Sequence, residues 1–174
     1  RKIYNEVSQF KYGFLVNGKP MTDQTKMTLI YMIKHYKTLS IEDIKKYKLG
    51  ICFDHAKYIA ELLKQNGIES KTYCTMIANK RNVVQAHVFT AAVISSKTYI
   101  IETSSGENDG IHAETPIKYV DKFLIPAFKD LCRFFGVDIN DENAKPVSDI
   151  IDITHCIPEA NVRYTKYFDN AYKS

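Results

Sequence analysis

The chain has 174 residues, with a hydrophobic share of 45%, a charged share of 25% and a net charge of +4. That length and balance suit one domain with its own core, and no apolar run approaches the roughly 18–20 residues that a membrane span needs. The lysines are scattered, as at Lys45-Lys46, Lys57, Lys64, Lys71 and Lys80, instead of gathered with aromatics on one element, which argues against nucleic acid as a partner. The first residue is Arg1 and not methionine, so the lack of a secretory leader decides nothing about compartment.

Residues 1–20 read as irregular to extended, with turn signals at Gly13 and at Asn17-Gly18-Lys19-Pro20. Residues 22–36 carry apolar positions at helical spacing, with Thr22 or Asp23 as cap. A short helix is predicted over 40–47, where Ser40 is followed three residues later by Asp43. Next comes an amphipathic helix over 52–66, with Ala56, Ile59-Ala60 and Leu62-Leu63 on one face and Asn66-Gly67 as its stop. Three strands follow at 69–78, 86–94 and 97–103, rich in β-branched and aromatic residues. Polar turns separate them at 79–82 and at Ser95-Ser96, and 104–113 reads as a loop. Residues 117–135 read as a helix bent at Pro126, 138–148 as a charged connector, and 149–154 as one more strand. The remainder of this helical and irregular C-terminal part, 115–174, gives no clear pattern. Helices, then consecutive strands on short turns, then a helix imply an α+β fold on an antiparallel sheet.

The four cysteines, Cys52, Cys74, Cys132 and Cys156, contain no CxxC pair, so a structural zinc site is not expected, and Cys74 and Cys132 read as small core residues and not as partners in a bridge. Cys52 differs in opening a helix, where unpaired N–H groups and the dipole favour a thiolate. His87 heads one strand and Glu102 ends the next. A two-residue turn at Ser95-Ser96 would set Phe89 opposite Glu102 and His87 diagonally from it on the same face. A loop one residue longer would put them on opposite faces. The Cys52 helix must then pack its N-terminus against that face. Nucleophile, base and orienting acid are thereby all supplied. The oxyanion needs two donors. The Cys52 N–H is one, and Gln85 and Tyr47 are candidates for the other. Asp54 reads as a helix-terminal carboxylate and not a catalytic one, and His55 as a surface residue. His112 and His155 lie in polar stretches without an assigned role.

Gly50, Cys52, Asp54, Ala56, Leu62-Leu63 and Gly67-Ile68, then His87 with Phe89, then Tyr99 with Glu102, match three motifs in order over about 40–105. Through them the chain resembles the transglutaminase-like superfamily of cysteine enzymes, a branch of the papain-like proteases. Two positions depart from the family's pattern. Aspartate is usual where Glu102 stands, and tryptophan is usual after the histidine, where this chain has Phe89. The resemblance implies a cysteine at a helix N-terminus packed on an antiparallel sheet, and thioester chemistry on an amide of a peptide or protein substrate. It implies no cofactor and no metal. Small members of the family mostly hydrolyse, which points to water as acceptor. The rival readings are a protein-glutamine transamidase or deamidase, and a degenerate module that binds through the old cleft. Oligomeric state is not legible.

Overall fold

The computed structural model describes residues 1–157 and 160–163. The elements in chain order are α1 (Lys2–Val7), β1 (Lys11–Tyr12), β2 (Phe14–Val16), β3 (Lys19–Met21), α2 (Leu29–His35), α3 (Ile41–Tyr47), β4 (Leu49–Gly50), α4 (Cys52–Gln65), β5 (Glu69–Ala78), β6 (Val84–Ile94), β7 (Lys97–Glu102), β8 (Gly110–His112), α5 (Pro116–Tyr119), α6 (Ile125–Phe134) and β9 (Val147–Asp152). A π-helical stretch, Val120–Leu124, joins α5 to α6. Five strands form one antiparallel sheet in the order β8-β7-β6-β5-β9. This is the α+β arrangement on an antiparallel sheet expected from the sequence.

The hairpin that matters most turns through Ser95 and Ser96, with φ of 50° and 62°. Two successive left-handed residues make the tight turn whose twist suits adjoining strands. The resulting register pairs Ile94 with Lys97 and ends at Thr90 with Ile101, the register that a two-residue turn demands.

Alternation along β6 divides the core. Val88 and Ala92 join the side chains of α4, in clusters with Phe53, Ala56, Ile59 and Leu63. Thr90 on the same face donates its hydroxyl to the Ala56 carbonyl at 2.8 Å. Phe89 and Ala91 face the other way, packed with Ile100, Tyr119, Leu124 and Phe128. Helices therefore cover both faces of the strands that carry the site. Cys74 and Cys132 are buried and unbridged, as expected of small core residues.

Several local expectations are corrected. Residues 1–20 hold helix α1, fixed by burial of Val7 against Tyr58, Leu39 and Ile44, and a β2–β3 hairpin turning through Asn17 and Gly18, both at positive φ. The helix expected over 22–36 starts only at Leu29. Thr28 takes an extended conformation and its hydroxyl accepts from the Tyr31 N–H, while Asp23 caps a separate 3-10 turn, Gln24–Lys26. Residues 104–113 hold a 3-10 turn, Gly106–Asn108, and strand β8 paired to β7. The helix expected over 117–135 begins at Pro116 with Thr115 as cap. Its interior takes π geometry just before Pro126, which falls in the first turn of α6, where a missing N–H is tolerated. The last strand lies at Val147–Asp152, two residues ahead of its expected place. Residues 158–159 and 164–174 of the C-terminal part lie outside the described residues.

Candidate active site

Cys52 opens α4 and is partly exposed. The preceding residue, Ile51, has no polar side chain with which to cap the helix. Asp54, three positions on, supplies the acceptor. Its Oδ2 takes the Ile51 N–H at 3.1 Å and the Tyr36 hydroxyl at 3.2 Å, and its Oδ1 takes the Leu39 N–H at 3.0 Å. Asp54 is fully buried. Burial pushes its carboxyl up to about 7, against the opposing pull of those three hydrogen bonds and of the Lys57 charge. The sequence reading of Asp54 as a helix-terminal carboxylate holds, and its reach is wider: it ties the cysteine's turn to α2 and to the start of α3.

Gly50 is required by close approach. A Cβ there would stand 2.7 Å from Asp54 Cβ and 2.9 Å from His55 Cδ2. Gly50→Ala is accordingly expected to destabilise the fold by about 1–3 kcal/mol through overpacking, read from the urea midpoint, and to slow alkylation of Cys52 by displacing its turn. A variant with wild-type midpoint and alkylation rate would show that the turn yields freely.

His87 and Glu102 meet as the hairpin register required. His87 Nε2 donates to Glu102 Oε2 at 2.6 Å, with both side chains buried. The direction follows from charge, since a carboxylate only accepts. Glu102 Oε1 accepts from the Thr103 N–H at 3.0 Å, the Ser104 N–H at 2.9 Å and the Ser104 hydroxyl at 3.0 Å. Oε2 also accepts from the Tyr119 hydroxyl at 2.9 Å. Burial works to raise the Glu102 pKa, but the His87 charge and these hydrogen bonds hold it down at about 2. Burial likewise works to lower the His87 pKa and is overridden. The Glu102 carboxylate and a side-chain hydrogen bond with Cys52 raise it well above its usual value. With Nε2 engaged by Glu102, Nδ1 is the ring nitrogen left for Cys52.

The route by which Cys52 arrives corrects one expectation. α4 does not pack on the face that carries His87 and Glu102. It packs on the opposite face, against Val88, Thr90 and Ala92. The β6–β7 ladder ends at Thr90, while β6 continues to Val84, so the thiol meets the imidazole where that edge of β6 is no longer covered by β7.

His55, expected at the surface, is 2% exposed. Its ring lies edge-on to Phe10 with centroids 6.0 Å apart, and its Nδ1 is 3.0 Å from Thr103 Oγ1. Burial lowers its pKa to about 4 despite the Glu102 charge. The helical position that seemed to point outward is covered by Phe10 on the segment after α1. Gln85 lies on the His87 face of β6, and its Oε1 is buried with no hydrogen-bond partner among the described residues. Tyr47 ends α3, and its ring sits under the Lys46 ammonium at 4.9 Å. His112 belongs to the aromatic group around Tyr119, with ring centroids 5.3 Å apart. The residue that sequence reasoning missed is Tyr119. Only its apolar neighbours at helical spacing marked that helix, and nothing in the pattern tied it to Glu102.

An antiparallel sheet with a cysteine-bearing helix on it, and a histidine–carboxylate pair in its central hairpin, defines the transglutaminase-like cysteine-enzyme fold. A family model described as the transglutaminase-like domain matches residues 7–109, and the chain belongs to that family. Among solved structures, it is similar to an arylamine N-acetyltransferase of Bacillus cereus described as having a Cys-His-Glu catalytic triad. Identity is 20% over 45% of this chain and 34% of that one, with a TM-score of 0.37. It is also similar to arylamine N-acetyltransferase C of Bacillus anthracis, at 10% identity over 60% of this chain and 49% of that one, with a TM-score of 0.35. The chain thus aligns to between a third and a half of the length of these proteins. No curated protein matches it.

Proposed function

We propose that the chain is a cysteine-dependent hydrolase that cleaves a peptide or amide bond through a thioester, with Cys52 as nucleophile, His87 as general base and acid, and Glu102 as orienting acid. The observation that carries this reading is the buried 2.6 Å His87–Glu102 bond on an imidazole that also hydrogen-bonds Cys52. The Cys52 sulfur attacks the carbonyl carbon while its proton resides on His87. The C–N bond breaks, and His87 gives that proton to the departing amine. Water then attacks the thioester, His87 takes its proton, and the acid leaves as the thiol is restored. Glu102 keeps the Nε2 proton in place and offsets the imidazolium charge throughout. The Cys52 N–H is the first oxyanion donor, and the Gln85 amide, on the His87 face, is the candidate second. Water as the acceptor is supported by the family resemblance and not by the geometry.

Exposure alone predicts that Cys156, which is exposed, reacts faster with iodoacetamide than the partly exposed Cys52. The proposal predicts the reverse order at neutral pH by mass spectrometry, with roughly a hundredfold loss at Cys52 on His87→Ala. Cys74, buried and pushed up to about 12 by burial, stays unmodified. Equal rates at Cys52 and Cys156 that ignore His87→Ala would instead favour a binding module without catalysis. Incubation with a glutamine peptide and a labelled amine separates the acceptors. Free acid without label supports hydrolysis or deamidation, and incorporated label would replace water with an amine while keeping the thioester.

A further inference from the structure

We propose that Tyr119 is a positioning residue for the Cys52–His87–Glu102 site, its hydroxyl fixing the carboxylate oxygen that holds the imidazole. This rests on the catalytic reading above. Tyr119 is fully buried, and its hydroxyl donates to Glu102 Oε2, the same oxygen that accepts from His87 Nε2. The other oxygen, Oε1, accepts from the N–H groups of Thr103 and Ser104 and from the Ser104 hydroxyl, residues that follow β7 directly. Without the tyrosine, Oε2 would be held only by His87, the ring that Glu102 is there to orient. Tyr119 supplies a reference point independent of the reacting groups.

That point is rigid. The Tyr119 ring meets Phe89 edge-on with centroids 5.0 Å apart, and it lies 5.3 Å from the rings of both Phe123 and His112. It stands at the end of α5, immediately before the π-helical stretch Val120–Leu124. A π-helical insertion shifts the register of everything after it, and such insertions are frequent at functional sites. Here the shift lets the chain present Tyr119 to Glu102 and still bury Leu124 and Phe128 in the same cluster. The titratable groups facing Glu102 are His87 from β6, His55 from α4, Asp109 from the segment before β8, and Tyr119 itself.

Tyr119→Phe removes the hydroxyl and keeps the ring. The test is the rate of Cys52 alkylation by iodoacetamide across pH, run beside His87→Ala and Glu102→Gln. Loss of a hydrogen bond to a charged group is expected to slow the plateau rate about five- to tenfold. The acid limb of the profile reports formation of the thiolate–imidazolium pair, which a well-held Glu102 carboxylate stabilises, so loosening that carboxylate moves the limb up. A tyrosine that only fills space would alter melting temperature and leave that limb in place. Site-specific 3-fluorotyrosine at position 119 is the second arm. It keeps the ring and strengthens the donor, and the limb is expected to move down. Profiles of both Tyr119 variants that superimpose on wild type, while His87→Ala and Glu102→Gln suppress alkylation, overturn the proposal and leave the triad standing. If His87→Ala and Glu102→Gln also leave alkylation unchanged, the catalytic reading falls and the Tyr119 role with it.

Discussion

Glu102→Gln is expected to lower Cys52-dependent hydrolysis of an activated ester such as p-nitrophenyl acetate by roughly 10³–10⁴-fold, the scale seen when the acid of a comparable triad is made an amide. The same change is expected to destabilise the fold by about 3–5 kcal/mol, as for a buried ion pair that loses one partner. The substitution is close to isosteric, and the damage comes from the donor count. Oε1 accepts from two backbone N–H groups and a hydroxyl, and Oε2 accepts from His87 Nε2 and the Tyr119 hydroxyl. A glutamine amide has one oxygen and one NH2 group. Turned one way, the NH2 confronts Thr103 and Ser104. Turned the other way, it confronts His87 and Tyr119. The second arrangement forces His87 to present a bare nitrogen to the amide and so to move its proton to Nδ1, the wrong side for receiving one from Cys52. Ester turnover within threefold of wild type would remove Glu102 from the orienting role. Unchanged stability would show that the carboxylate is not the acceptor these five donors require.

How much of this was legible in the sequence depends on whether an interaction is local. The Ser95-Ser96 turn fixes which face every residue of β6 and β7 occupies, so the His87–Glu102 pairing follows from counting residues across a hairpin. Cys52 at the start of α4 was legible for the same reason, from helical spacing bounded by Gly67. The approach of α4 to the site was not, because side-chain periodicity marks an apolar stripe without saying which sheet face receives it. The stripe packs opposite the His87–Glu102 pair, and Cys52 meets His87 beyond the end of the β6–β7 ladder. Helix α1 and strands β2 and β3 are too short to carry a periodic signal and are held by contacts from elsewhere, such as Val7 with Tyr58. Tyr119 lies seventeen residues past Glu102 behind a π-helical shift. A tyrosine on the apolar stripe of a helix looks like any other core aromatic.

The first turn of α4 also holds two buried titratable residues whose effects on stability oppose each other, and substitution of either is expected to uncover the other. Asp54 is raised to about 7 from an ordinary 3.8. The folded state therefore binds the extra proton between these values, and the Asp54 contribution to stability falls as pH rises across that window. His55 is lowered to about 4 from an ordinary 6.5. Here the unfolded state binds the extra proton, so its contribution is complete above about 6.5 and is lost as pH falls toward 4. At 1.36 kcal/mol per pKa unit, the two swings amount to about 4 and about 3 kcal/mol. Over pH 4–6.5 they nearly cancel in the wild type. His55→Gln keeps a polar group facing Thr103 and cannot be charged. Its urea-derived stability is expected to decline by several kcal/mol from pH 4 to 7. Asp54→Asn is expected to show the opposite slope, rising from pH 4 to 6.5, on top of a constant loss of about 1–3 kcal/mol because its NH2 replaces one acceptor among three donors. The reason the fold tolerates a proton on Asp54 is that the Tyr36 hydroxyl, which donates to the carboxylate, can turn and accept from the acid. Tyr36→Phe removes one of the hydrogen bonds that pull the Asp54 pKa down, so it is expected to raise that pKa further and steepen the loss of stability with rising pH. Parallel stability profiles for wild type, His55→Gln and Asp54→Asn would show that neither group changes its proton affinity on folding.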